Sequence, residues 1–329
     1  MLSTHCIIHR EHLAAKKLSS EMENVMKRVV RIVNEIRSRA LNSRLFTALC
    51  ESMGSQHQHL LFHAEVRWLS RGRVLLRFFE LREEVKQFLR EINSPLIEPL
   101  LDEMWTSKLA YLADIFSRLN DLNFSLQGFC TNIFILRNKT DAFKKKLAFW
   151  DGLVQKGNID MFPNLHDFLT SVDVNKEELF DIITRHLREL AHNFERYFPE
   201  SEDPRKGNLW INNPFTADVD SCDLNSNEKE CLIELSSDTT LLSKHKIQSL
   251  SQFWISLENE YPSLSYKAIK LLVIFSTPYL CEKSFSSLTL IKNKQRNRMN
   301  VDAALRLSET SLQPRLSRIL SMKQQQLSH

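Results

Sequence analysis

A chain of 329 residues with only 6 glycines has few positions at which to turn a hairpin. Average usage of ~7% would give roughly 23. Glycine supplies tight turns, bulges and the loops that cradle phosphate, so its scarcity points to a mostly helical chain. It also argues against a dinucleotide fold and a P-loop, whose glycine patterns are absent. The length suits about two domains with a substantial core. Hydrophobic residues at 43% and charged residues at 26% are ordinary for a soluble globular protein. Cys6, Cys50, Cys130, Cys222, Cys231 and Cys281 form no Cys-x-x-Cys pair. The first residues do not read as a signal peptide, so a reducing, intracellular setting is expected. The longest apolar run, Leu271 to Phe275, is far short of a membrane span, so no membrane partner is expected.

Hydrophobic spacing lays out the helices. Met22, Val25, Met26, Val29, Ile32, Val33 and Ile36 recur at three and four residues, which predicts one long helix over 16–52. Its arginines read as a solvated face. Leu60 to Trp68 reads as a short strand, and Ser70 as the N-cap of a helix reaching Ile92. Further helices are expected over 101–128, 132–156 and 176–198. Residues 199–227, rich in Pro, Asp, Ser and Asn, read as an exposed linker. Helices resume over 250–261 and from Pro262. Leu271 to Phe275 reads as a buried strand, followed by a helix over 279–290, a basic loop over 291–300, a last helix from Val301 and a frayed tail.

Charge is unevenly placed. Residues 1–95 hold 16 Lys+Arg against 10 Asp+Glu, residues 200–240 hold 3 against 10, and residues 281–323 hold 9 against 3. Arg67, Arg71, Arg73 and Arg77 gather before and within one helix, while Lys292, Lys294, Arg296 and Arg298 alternate in the basic loop. Such groups suit phosphate contacts, and they equally suit a solvated surface. Cys6-x-x-His9-x-x-His12, with His57, His59 and His63 further on, offers metal-ligand types at local spacing, yet structural zinc usually takes four cysteine-rich ligands. The alternative is packed or hydrogen-bonded histidines. No Gly-x-Ser-x-Gly elbow occurs, and no nucleophile, base and orienting group stand out. Glu282, after the expected strand, reads as a lone carboxylate at a helix start.

The run Thr277-Pro278-Tyr279-Leu280-Cys281-Glu282-Lys283-Ser284-Phe285-Ser286, followed by Gln295-Arg296-Asn297-Arg298-Met299 and Leu305, resembles the C-terminal signature of hAT-superfamily transposases. Cys6-x-x-His9 and Arg67-Trp68-Leu69-Ser70 fall in the family's order. The stretch from Leu109 through Phe116 and Asn120 to Gly128 resembles a vertebrate branch of hAT-derived host proteins. That branch includes BED-zinc-finger proteins and relatives of the general transcription factor II-I repeat proteins. The resemblance implies an RNase H-like domain split by a large helical insertion. It makes Glu282 the relic of a third metal-binding acid, places Trp68 near a DNA face, and assigns Phe285, Met299, Ala304, Leu305 and Leu307 to a homodimer. Both aspartates of the family's metal site precede the Cys-x-x-His motif, so neither is expected in this chain.

These readings combine into a mostly α chain with a few strands (α+β), an incomplete RNase H-like domain and a C-terminal hAT dimerisation region. The segments expected are 1–95 (partial RNase H-like), 96–198 (helical insertion), 199–248 (acidic linker and helix), 249–315 (RNase H-like return and dimerisation region) and 316–329 (tail). Function is expected to be non-catalytic, without a cofactor, through homodimerisation or pairing with related hAT-derived proteins, in the nucleus by analogy with the family, with the cytoplasm as a second compartment. The alternative is DNA binding through Arg67, Trp68, Arg71, Arg73, Lys292, Lys294, Arg296 and Arg298. An active transposase would need the two aspartates supplied from elsewhere.

Overall fold

The computed structural model describes residues 6–61, 70–127, 131–273, 287–288, 291–292 and 300–309. It divides into two compact units, Met1–Ser276 and Thr277–His329. In the first unit the helices are α1 (Ile7–Lys16), α2 (Ser20–Arg37), α3 (Ala40–Ser52), α4 (Ser70–Glu80), α5 (Arg82–Glu91), α6 (Glu98–Leu101), α7 (Glu103–Leu126) and α8 (Ile133–Val154). They continue as α9 (Pro163–Leu169), α10 (Lys176–Tyr197), α11 (Leu209–Asn212), α12 (Ser226–Ser237), α13 (Thr239–Ile247), α14 (Leu250–Ser256) and α15 (Pro262–Leu272). The second unit contributes α16 (Asp302–Glu309).

Every regular element among the described residues is helical, and the expected α+β, RNase H-like fold is therefore corrected to an all-helical one. Of the first expected strand, Leu60 and Leu61 are irregular and the rest lies outside the described residues. Leu271 and Leu272, expected to open the second strand, close α15 instead. A short aliphatic run fits a strand or a helix equally well. Here Pro262 at the first helical turn starts a helix, and Leu264, Ala268 and Leu271 continue its buried face at helical spacing.

α7 is the hub of the first unit. Asp102 caps it, its carboxylate accepting from the Met104 amide at 2.9 Å. Leu109 through Ala113, Ile115, Phe116, Leu119 and Leu126 are all buried, the pattern of a helix surrounded by others. α1, α2, α4, α6, α8, α9 and α10 all pack on it. Close packing explains Gly72 in α4, where an added Cβ would stand 2.3 Å from Asn120 Nδ2 and 3.0 Å from the Phe116 carbonyl. α4 thus lies along α7, and residues on both sides of position 95 share one core.

Three expectations along the chain are revised. The helix over 16–52 is broken twice. Lys17 at the end of α1 and Arg39 before α3 are extended. The second break redirects α3, and Phe46 meets Phe88 of α5 edge to face at 5.6 Å. The helix from Ser70 is interrupted at buried Leu81, which separates α4 from α5. The expected linker is folded. Arg137 of α8 is buried and donates to the carbonyls of Phe198 and Pro199, both at 3.0 Å. Arg205 is held by Asp203 and Asp141. Trp210 is fully buried against Trp254, rings edge to face at 5.2 Å, and Trp254 Nε1 donates to the Ile211 carbonyl at 2.9 Å.

Candidate functional site

A groove of about 700 Å³ opens where the end of α1 meets the first turns of α2 and the start of α4. Leu13, Leu18, Met26, Val30 and Tyr197 provide its apolar lining. Lys16, Lys17, Lys27, Arg31 and Arg71 stand around it, with Glu23 as the single acid. Glu23 is already engaged by Lys27 at 2.8 Å. The helical spacing of Lys27 and Arg31 puts both on one side of α2. The turn between α1 and α2 brings Lys16 and Lys17 opposite them.

This concentration of charge acts on its neighbour. His12 is pushed down to about 4, first by burial and then by the positive charges of Arg71, His9 and Lys16. His12 is therefore neutral at physiological pH. The chemistry suited to the groove is the binding of an anion with an apolar portion.

Cys6 is a helix cap in this structure. Its Sγ accepts from the His9 amide at 3.3 Å at the start of α1. His57 faces Glu80 at 3.5 Å, and His59 Nδ1 lies 3.0 Å from the Thr47 hydroxyl. Among the described residues no three His, Cys, Asp or Glu side chains come together as a metal site.

The buried carboxylates described are occupied structurally. Asp114 accepts from Asn164 Nδ2 at 2.6 Å and from the Leu165 amide at 3.0 Å, fixing the start of α9. Burial raises its pKa. Glu228 caps α12 and accepts from Ser263 Oγ at 2.6 Å and from Lys267. Glu11 of α1 accepts from Asn123 Nδ2 of α7 at 2.6 Å.

Of the residues selected from the sequence for nucleic acid, Arg71 joins the groove, while Arg73 is exposed on α4 outside its lining. Arg77 pairs with Glu80 at 3.2 Å. Lys292 is exposed. Arg67, Trp68, Lys294, Arg296 and Arg298 lie outside the described residues, as do Glu282, Phe285, Met299 and His63. Ala304 and Leu305 are half-buried on α16, and Leu307 is 59% exposed. Lys16, Lys17 and Lys27 were not singled out from the sequence, and Arg31 was read there as part of a solvated face. The Lys16-Lys17 pair beside Lys27 and Arg31 was the available signal.

Residues 5–155 match the FAM200/GTF2IRD2 helical domain. Residues 232–308 match the hAT family C-terminal dimerisation region. The chain is hAT-transposase-derived. No solved structure matches it.

In this hAT-derived chain the first match covers α1 to α8, including the basic groove. The dimerisation region begins in α12 and runs into the second unit. It contains Ile233, Ile247, Ile255, Tyr266, Val273 and Leu307, all large apolar residues at least half exposed. On α15, Leu264, Ala268 and Leu271 are buried, while Tyr266 and the C-cap residue Val273, seven residues apart, are both exposed. Lys270 sits over the Tyr266 ring at 5.8 Å from its centre. No helix among the described residues is long and apolar enough to cross a membrane.

Proposed function

We propose that this chain acts as a non-catalytic, self-associating nuclear protein that retained the dimerisation surface of a transposase. The observation carrying this reading is the dimerisation region itself, with Tyr266 of α15 and its C-cap residue Val273 both exposed. Non-catalysis is supported by the structural use of Asp114, Glu228 and Glu11, each tied to a local partner. Nuclear residence is supported by kinship with transposases, which work on DNA. Light scattering on the full chain at tens of micromolar tests self-association. A mass of twice 38.6 kDa is expected, and a strict monomer overturns the reading.

The basic groove favours a second reading in which the same protein holds nucleic-acid phosphates. Five cations around one engaged acid, over an apolar lining, suit a sugar-phosphate strand. Affinity for an oligonucleotide is then expected to fall steeply as salt rises from 50 to 200 mM. The pair Lys27→Glu and Arg31→Glu should abolish it. Binding indifferent to salt, or unchanged in that double variant, removes this reading.

A further inference from the structure

α3 turns one face into the core and another away from it. Phe46 and Cys50 are buried, while Leu41 is 60% and Leu45 50% exposed, with Ala48 and Ser52 exposed beyond them. Single exposed leucines are ordinary on a protein surface. The register is what sets this face apart. Leu41, Leu45, Ala48 and Ser52 follow one another at four, three and four residues, the spacing of a heptad seam. Leu45 and Ser52 take position a and Leu41 and Ala48 position d. Phe46 and Cys50 then fall at b and f, on the far side of the helix from the seam.

Arg44 and Glu51 both fall at g, along one edge of the seam, and both are exposed. They stand seven residues apart, roughly 10 Å along the helix, too far to pair with each other. Arg44 Nε donates to the Ala40 carbonyl of its own helix at 3.4 Å, and neither charge enters an ion pair among the described residues. In a parallel pair of helices, position g faces e of the partner, here Asn42 or Leu49, and the charges stay unpaired. In an antiparallel pair g faces g. With Leu45 of one copy set against Ala48 of the other, each Arg44 stands opposite a Glu51, and two-fold symmetry makes the ion pair twice. The edge is thus complementary to itself in one orientation.

We infer that α3 pairs antiparallel with α3 of a second copy of this chain, through Leu41, Leu45 and Ala48 and two Arg44–Glu51 ion pairs. This contact lies outside the matched dimerisation region and does not rest on the self-association proposed above. A seam this short on one helix buries far less than the ~1,000 Å² that a stable interface needs. The contact is therefore weak, filling only toward millimolar concentration or where another interface already holds two copies together.

The test uses the full chain carrying Tyr266→Glu and Val273→Glu, so that the other proposed interface does not contribute. Sedimentation equilibrium from about 10 µM to about 1 mM is expected to show the mean mass rising from 38.6 kDa toward twice that value. Adding Arg44→Glu leaves only acids on the edge, and adding Glu51→Arg only bases. Each should weaken association at least about tenfold. Both positions are exposed, so the thermal midpoint of each variant should match that of the background. Mixing the two variants in equal amounts should restore association, because each contact then joins an acidic edge to a basic one. A mass that stays at 38.6 kDa throughout overturns the inference. So does association indifferent to the single changes, or a mixture no tighter than its components. The two readings fail separately, since a parent chain that is monomeric at tens of micromolar removes the dimerisation reading and leaves these outcomes unchanged.

Discussion

Glu11 and His186 are two buried ionisable side chains whose pKa values move in opposite directions. Burial pushes Glu11 up to about 8, against the smaller lowering effect of its hydrogen bond from Asn123. Its Oε1 has no hydrogen-bond partner among the described residues. A carboxyl raised from 4.5 to about 8 on folding gives stability that is fully present below 4.5 and lost as pH rises through 8. By pH 7 the loss is on the order of 3 kcal/mol. His186, whose Nδ1 lies 2.8 Å from the Tyr111 hydroxyl, is pushed down to about 4 by burial. Its contribution is present above 6.5 and lost as pH falls through 4. Between 4.5 and 6.5 the two slopes oppose each other; above 6.5 only that of Glu11 remains. The thermal midpoint should therefore fall from pH 6.5 to 8. Glu11→Gln should flatten that fall and raise the midpoint at pH 8 by several degrees. An unchanged pH profile in calorimetry of that variant would remove the assignment.

At the scale of elements, the long helices were legible because their signals are local. Asp102, Asn132 and Asn175 each cap a helix at the start of an apolar periodic run, and α7, α8 and α10 begin and end within a few residues of expectation. The breaks at Arg39 and Leu81 were not legible, since neither position is Gly or Pro and the first serves the distant contact of Phe46 with Phe88. The same holds for α11. Its residues sit in an acidic, proline-bearing stretch, and distant partners, Trp254 for Trp210, 44 positions away, and Asp141 for Arg205, turn that stretch into packed structure. The basic groove was half legible. Arg71 was singled out, but a solvated face and a groove wall look alike until residues of α1, α2 and α4 meet at one groove. Trp210→Ala should cost about 3–5 kcal/mol, as large aromatic truncations in a core do. Limited proteolysis should then cut first within 199–248, and cleavage elsewhere would show that this stretch is not held by Trp210.

For the whole molecule, self-association couples stability to concentration, because anything that binds only the folded state stabilises it by mass action. The thermal midpoint should rise with protein concentration. The double change Tyr266→Glu and Val273→Glu should abolish that rise and give a monomer in light scattering, with helical content unchanged. A concentration-dependent midpoint that survives the double change would place the interface elsewhere. The all-helical architecture also bears on how the chain is assembled. α1 packs against α7 and, most extensively, against α10, which begins 160 residues after α1 ends. At ~5–20 residues per second, synthesis separates the two by roughly 10 to 35 s. Until α1 docks into the core Glu11 is solvated and ionised, so nascent α1 carries a charge on the face that it will bury. Docking, with Asn123 of α7 donating to Glu11, then draws a proton from the solvent, making completion of the core a protonation event as well as a packing one.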